Sequence, residues 1–156
     1  MIIDYQQTED GAEGHATFPL FNATIELLIN GTVPQKYVVQ CLETLDVLSG
    51  SLLDALLSAS KRYRESSRRG FLRLGIRTRD DILKHVTPIG ITIWPPEAPG
   101  TAICVEFNCD WNNEDGMEWY IRDTTAVYVG PAQGESPWED GSTWSMNCVS
   151  DRNGPA

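Results

Sequence analysis

The stretch that decides the fold runs from residue 101 to residue 130 and reads TAICVEFNCDWNNEDGMEWYIRDTTAVYVG. Polar and apolar residues alternate over 101–111, which predicts a half-buried strand. The segment NNEDG then predicts a turn, and strands predicted over 117–121 and 126–130 return in antiparallel fashion. The residues predicted to share one face of the first strand are Ile103, Val105, Phe107 and Cys109.

Two further elements precede this meander. The segment IGITIW (residues 89–94) is rich in β-branched residues and predicts another strand. The segment RDDILKHV (residues 79–86) predicts a short helix that Thr78 opens and Pro88 ends.

A long helix is predicted upstream of these elements. Thr32 is the expected N-cap, Pro34 suits the first turn, and Gly70 suits the position after the last turn. Gly50 lies midway, where it marks either a kink or a break into two helices. The apolar stripe that should face the core consists of Val38, Leu42, Leu45, Leu48, Leu52, Leu56 and Ala59.

The N-terminal part completes the fold class. Residues 1–13 predict a short strand or a frayed arm, and residues 15–29 predict two short strands joined by a turn near 19–22. We therefore expect an α+β fold: an antiparallel sheet, made of an N-terminal two-stranded hairpin and the C-terminal meander, with a long and a short helix packed on one face. A single domain over 1–134 is predicted, followed by a tail over 135–156 that Trp138 and Trp144 could dock.

Charge is abundant and uneven. The 156 residues carry 22 acids against 12 bases, a formal net charge of −10, which argues against a protein that grips nucleic acid. Most of the bases fall between Lys61 and Lys84, which predicts a solvated helix end or a partner for the chain's own acidic loop. The acids concentrate between Glu106 and Asp123.

Cysteine and leader patterns indicate the compartment. Cys104 and Cys109 lack metal-ligand spacing, and neither histidine lies at ligand spacing from a cysteine, so we expect no metal and four reduced thiols. The N-terminal stretch lacks the features of a signal peptide, and no apolar run could span a membrane. A cytoplasmic protein with no membrane contact is therefore expected.

Catalytic patterns are absent from the sequence. It contains no nucleophile elbow, phosphate loop, zinc-binding helix or dinucleotide fingerprint, and DWNNEDG lacks the Gly and Glu positions of an EF-hand. A carboxylate pair such as Glu114 and Glu118 could do acid–base work, but exposed acids on a hairpin are more often solvated. We therefore expect no enzyme activity and no cofactor.

The sequence of this hairpin resembles that of a known protein family. The segment from Ile103 to Gly130 resembles the C-terminal signature of a bacterial family of unknown function, in which an acidic W-D-x-E-H-G-like turn joins two strands. The resemblance covers roughly residues 14–130. Trp111, Glu114 and Gly116 stand at matching positions, whereas Asn112 and Asp115 replace the usual Asp and His, so any role of that His is absent here.

In size, charge and architecture the chain also resembles bacterial toxin-immunity proteins, including those of contact-dependent inhibition and type VI secretion. This resemblance implies a non-enzymatic protein, a monomer or weak dimer, that neutralises a cognate toxin with a basic surface. The alternative is a housekeeping domain that binds a small ligand or another protein. The expected partner-binding residues are Asp110, Trp111, Glu114, Asp115, Glu118 and Trp119, although the two tryptophans could equally belong to the core.

Overall fold

Seven strands form one sheet in their order along the chain. The structure is a computed structural model, and it describes residues 1–67, 76–141 and 144–149. The strands are β1 (Ile2–Thr8), β2 (Gly11–Phe18), β3 (Ala23–Asn30), β4 (Val86–Ile93), β5 (Ala102–Cys109), β6 (Asn112–Arg122) and β7 (Thr125–Gly130).

The sheet consists of two antiparallel meanders that meet at one parallel pair. Strands β1 to β3 form the first meander and β4 to β7 the second, while β3 and β4 run parallel, with Leu27 opposite Ile91. The predicted α+β class and C-terminal meander are confirmed. The predicted hairpin of two strands joined near residues 19–22 is confirmed as β2 and β3, and residues 2–8 form the short strand that was one of two alternatives. The sheet is mostly rather than entirely antiparallel, because the helices form a crossover between β3 and β4.

The predicted long helix is divided into α1 (Gln35–Asp46) and α2 (Gly50–Ser66). Gly50 has a φ of +60°, the left-handed conformation that glycine adopts most readily, so the break lies where the sequence allowed one. The expected N-cap at Thr32 is wrong, since Pro34 precedes the first helical residue. The prediction for Gly70 lies outside the described residues.

The second predicted helix is a 3-10 helix over Arg79–Lys84. Thr78 forms a capping box with Asp81, as its position predicted. The backbone N–H groups of Thr78 and Arg77 donate to the Asp81 carboxylate at 3.0 and 2.9 Å and lower its pKa to about 2. The strand that follows begins at Val86, so Pro88 lies within β4 rather than between the two elements.

One hydrophobic core fills the space between the helices and the inner face of the sheet. The helical stripe predicted from the sequence is buried there, and so are Ile103, Val105, Phe107 and Cys109 from β5. Because side chains alternate along a strand, the residues between these point to the opposite, outer face. No helix among the described residues is long and apolar enough to cross a membrane.

The segment after β7 runs from the outer face of the sheet to helix α2. The indole of Trp144 packs edge-on against Tyr120 and Tyr128, with ring centroids 5.3 Å apart in both pairs. Further along, Arg62 of α2 donates to the carbonyl oxygens of Cys148 and Val149 at 2.8 and 3.0 Å. The described part of this segment therefore has specific contacts with both faces of the domain.

Candidate functional site

The acidic hairpin between β5 and β6 has a different shape from the one predicted. The chain reverses at Asp110 and Trp111, and NNEDG belongs to β6, where residues 113–116 form an irregularity in the pairing between Phe107 and Cys109. We call residues 110–116 the acidic turn. The prediction that NNEDG itself reverses the chain is wrong, because the extra residues bulge from the strand instead.

Asn112 organises the bulge from within. Its Oδ1 accepts the backbone N–H groups of Glu114 and Asp115 at 3.2 and 3.1 Å. Its Nδ2 donates to the Asp115 carboxylate at 3.2 Å and to the Tyr63 hydroxyl at 3.1 Å. An aspartate at this position could accept the same two backbone groups but could not donate.

Helix α2 fixes the base of the acidic turn. The Tyr63 hydroxyl donates to the carbonyl of Gly116 at 2.8 Å, and Ser67 Oγ donates to the carbonyl of Trp111 at 3.2 Å. Gly116 has a φ of +65°, and a Cβ there would lie 2.5 Å from the carbonyl oxygen of Phe107. A larger residue at position 116 would therefore collide with the neighbouring strand.

Three of the expected partner-binding acids are exposed on this turn: Asp110, Glu114 and Asp115. The backbone N–H of Asp110 donates to the carbonyl oxygen of His85 at 3.1 Å, and the Asp110 carboxylate lies 3.0 Å from His85 Nδ1. The turn is thus held by Tyr63 of α2, by His85 after the 3-10 helix and by the side chain of Asn112. Its carboxylates project from a rigid support.

The two tryptophans point into the core. Trp111 and Trp119 are both 0% exposed. Trp111 packs edge-on against Tyr63 with centroids 5.7 Å apart, and Trp119 donates its indole N–H to Ser60 Oγ at 2.9 Å. This is the alternative that the sequence left open, and neither indole is accessible to a partner in this conformation.

Glu118 lies apart from the acidic turn, on the outer face of β6. It is 6% exposed, and its Oε2 accepts the Tyr120 hydroxyl at 2.6 Å and the Gln133 N–H at 3.1 Å. The Tyr120 hydroxyl in turn accepts the Glu135 N–H at 3.0 Å. Burial, and then the bond to Glu118, raise the pKa of Tyr120, so the phenol stays protonated and remains a donor to the carboxylate.

The outer face brings Glu118 together with acids that sequence analysis did not select. The strand register places Glu26, Gly90, Glu106 and Glu118 side by side on four consecutive strands. His15 lies next to Glu26 and faces Asp4 on β1 with a distance of 3.0 Å between His15 Nδ1 and Asp4 Oδ1. We call the row Asp4, His15, Glu26, Gly90, Glu106 and Glu118 the acidic row.

Glu106 shows the electrostatic consequence of this row. Partial removal of water raises its pKa, and the neighbouring carboxylates of Glu118 and Glu26 raise it further. Glu26 and Glu106 each lie at an outward position of a strand with alternating polar and apolar residues. The sequence pattern therefore does predict that their side chains point away from the core. The register that aligns them depends on strand pairing, which the sequence pattern does not specify.

A shallow concavity of about 560 Å³ lies over the first three strands of the same face. Its lining includes Asp4, Glu13, His15, Glu26 and Leu28. Within the described ranges no group of three metal-ligating side chains comes together. The side chains that could contact a ligand there include three carboxylates, one imidazole, the amide of Gln6 and the exposed Leu28.

A protein-family model, described as a domain of unknown function (DUF6985), matches residues 3–136. The chain belongs to the DUF6985 family. The expectation of a family of unknown function is thereby confirmed, while the bacterial source, the acidic signature and the likeness to immunity proteins stay predictions. Searches of curated proteins and of solved structures found no match.

Proposed function

We propose that this DUF6985 protein is a non-enzymatic binding protein that neutralises a cognate toxin by covering a basic surface on it. Asp110, Glu114 and Asp115 support this role most directly, because they are exposed on a turn that Asn112 and Tyr63 hold in place. A rigid charged surface loses little conformational freedom on binding, which favours affinity. Its field also accelerates encounter with a basic partner.

The separation of charge supports the same role. Acids occupy the acidic turn and the outer face of the sheet, whereas strands β1 to β5 contain no lysine or arginine. The described helical elements are balanced in charge, with the bases Lys36, Lys61, Arg62, Arg64, Arg79 and Lys84 and the acids Glu43, Asp46, Asp54, Glu65, Asp80 and Asp81. A partner with one basic face would therefore be attracted more strongly to the acidic turn and the outer face of the sheet than to these helical elements.

The state of the thiols supports binding rather than covalent chemistry. All four cysteines are buried and unpaired, and burial is the largest cause that raises the pKa of each. A protonated, buried thiol is a poor nucleophile. Four unpaired cysteines are also typical of proteins in a reducing compartment, in line with the proposed cytoplasmic location.

The test uses the product of the neighbouring reading frame as the candidate toxin. We expect direct binding and loss of toxicity on co-expression. Reversal of two turn charges, Glu114→Lys with Asp115→Lys, should slow association and weaken its dependence on salt, because the long-range attraction is reduced. The matched control, Glu9→Lys with Asp10→Lys, makes the same charge change in the exposed turn between β1 and β2.

The outcomes separate the surfaces. If the turn variant associates at the wild-type rate at low salt, the acidic turn is not the binding surface, and the basic residues 61–84 with an acidic partner become the better candidates.

The concavity over β1 to β3 favours a second candidate function, binding of a small ligand. In that case the neighbouring product would not bind and a small cationic compound would protect the protein from thermal unfolding.

A further inference from the structure

The two faces of the sheet are covered unequally. The inner face packs against both helices, and over β6 and β7 the outer face is covered by the C-terminal segment, where Tyr120 and Tyr128 are 0% exposed beneath Trp144. Over β1 to β3 the outward side chains are exposed, and Leu28 retains 47% of its surface. We call this uncovered part, from β1 to Glu106 of β5, the open face.

The acidic row has a gap at its centre. Gly90 separates Glu26 from Glu106, and since neighbouring strands lie about 4.8 Å apart, the two glutamate backbones are about 10 Å apart across it. A Cβ built on Gly90 would find its nearest neighbour, the carbonyl oxygen of Glu26, at 3.8 Å. Space for an incoming side chain therefore exists between two carboxylates.

The charge of the open face is unbalanced within the molecule. Asp4, Glu13, Glu26 and Glu106 point outward, and strands β1 to β5 supply one imidazole and no lysine or arginine to oppose them. A cation above the gap would lie close to two carboxylates that now repel each other. The exposed Leu28, on the same strand and face as Glu26, offers an apolar contact for the aliphatic stem of such a side chain.

We propose that the open face docks a basic segment of the partner protein, with one lysine or arginine side chain seated over Gly90 between Glu26 and Glu106. The inference rests on the proposed function in one respect, that the partner is a basic protein. It adds the surface and the chemistry of the contacting segment. The acidic turn then steers the encounter, and the acidic row holds the segment.

The experiment uses a fluorescently labelled hexalysine peptide as the probe and follows its anisotropy at low salt with the full-length protein. The charge variant Glu26→Gln with Glu106→Gln is compared with Glu9→Gln and Asp10→Asn, which removes the same number of charges elsewhere. We expect the open-face variant to bind about five- to tenfold more weakly than this control, a size consistent with two lost charge contacts.

A steric variant tests the proposed binding position over Gly90 without changing any charge. Gly90→Val fills the gap, and valine suits a strand position with open space, so the protein should keep its far-ultraviolet circular dichroism and melting temperature. We expect it to weaken hexalysine binding by a factor similar to that of the charge variant. Equal binding by Gly90→Val and wild type, or equal loss in the Glu9 and Asp10 control, would overturn docking at the open face.

The same variants distinguish this inference from the proposed function. If the neighbouring toxin is neutralised equally well by the wild type and by Gly90→Val, the open-face docking is wrong and the proposed function stands. If hexalysine binds with the expected sensitivity to Gly90→Val while the toxin is neither bound nor neutralised, the docking chemistry stands and the proposed function fails.

Discussion

Ser60→Ala should destabilise the protein by about 1–2 kcal/mol, because it leaves the buried indole N–H of Trp119 without a hydrogen-bond acceptor. Ser60 and Trp119 are both 0% exposed, and the Trp119 indole N–H donates to Ser60 Oγ at 2.9 Å. A buried donor that loses its partner costs about 1–3 kcal/mol. Alanine recovers up to roughly 0.5 kcal/mol of helix propensity, since Ser60 lies within α2. The second bond of the hydroxyl, to the carbonyl of Leu56 at 2.7 Å, is a lesser loss because that carbonyl stays within the helix.

The assay is urea unfolding followed by tryptophan fluorescence, with the free energy of unfolding taken from linear extrapolation. Ser58→Ala, at a half-buried position of the same helix, is the matched control and should be neutral or slightly stabilising. Trp119→Phe combined with Ser60→Ala should cost less than the sum of the single changes, because the two residues share one hydrogen bond. If Ser60→Ala is as stable as Ser58→Ala, the bond does not contribute as described.

Three further changes test the core, the acidic turn and the acidic row. Leu56→Ala, at 0% exposure, should cost about 2–5 kcal/mol in urea unfolding, whereas Val47→Ala, at 74% exposure, should cost less than about 0.5 kcal/mol. Asn112→Asp removes two hydrogen bonds that the amide donates and adds a charge beside the Asp115 carboxylate, so it should lower the free energy of unfolding by about 1–2 kcal/mol. Asn113→Asp, at the exposed neighbouring position, is the control and should have little effect in the same assay. Folding raises the pKa of Glu106, so the folded state retains its proton at higher pH than the unfolded chain, and the free energy of unfolding falls as pH rises between the two pKa values. Glu106→Gln should therefore be more stable than wild type at pH 7, with the difference vanishing below the unfolded pKa of about 4.3; a constant difference across the titration would contradict this origin.

Local patterns predicted the elements well where one residue type determines the local structure. Alternation identified β5 and its inward residues, Thr78 marked the start of the 3-10 helix, and Gly50 marked the break between the helices. Each of these features depends on neighbours within a few residues. The α+β class followed from the order of such elements along the chain.

The features that sequence analysis missed depend on contacts between distant segments. The bulge of the acidic turn is held by Tyr63, which is far from Asn112 in the sequence, so the acids alone could not reveal its shape. Sequence analysis left the burial of Trp119 open, because its indole finds a partner in Ser60, which is equally far away in the sequence. The acidic row requires the pairing of β3 with β4, and this parallel pair has no signature in the residues of either strand.

The parallel pair also has a consequence for the order in which the chain acquires structure. Each meander closes through short connections, but β3 and β4 can pair only after the whole crossover from Gly31 to His85 has been enclosed. Such non-local contacts slow folding. During synthesis on the ribosome, the edge of β3 remains unpaired until β4 has left the exit tunnel, and an unpaired strand edge can associate with other chains. The parallel pairing of β3 with β4, which aligns the acidic row, is thus also the step at which a nascent chain is exposed to misassembly.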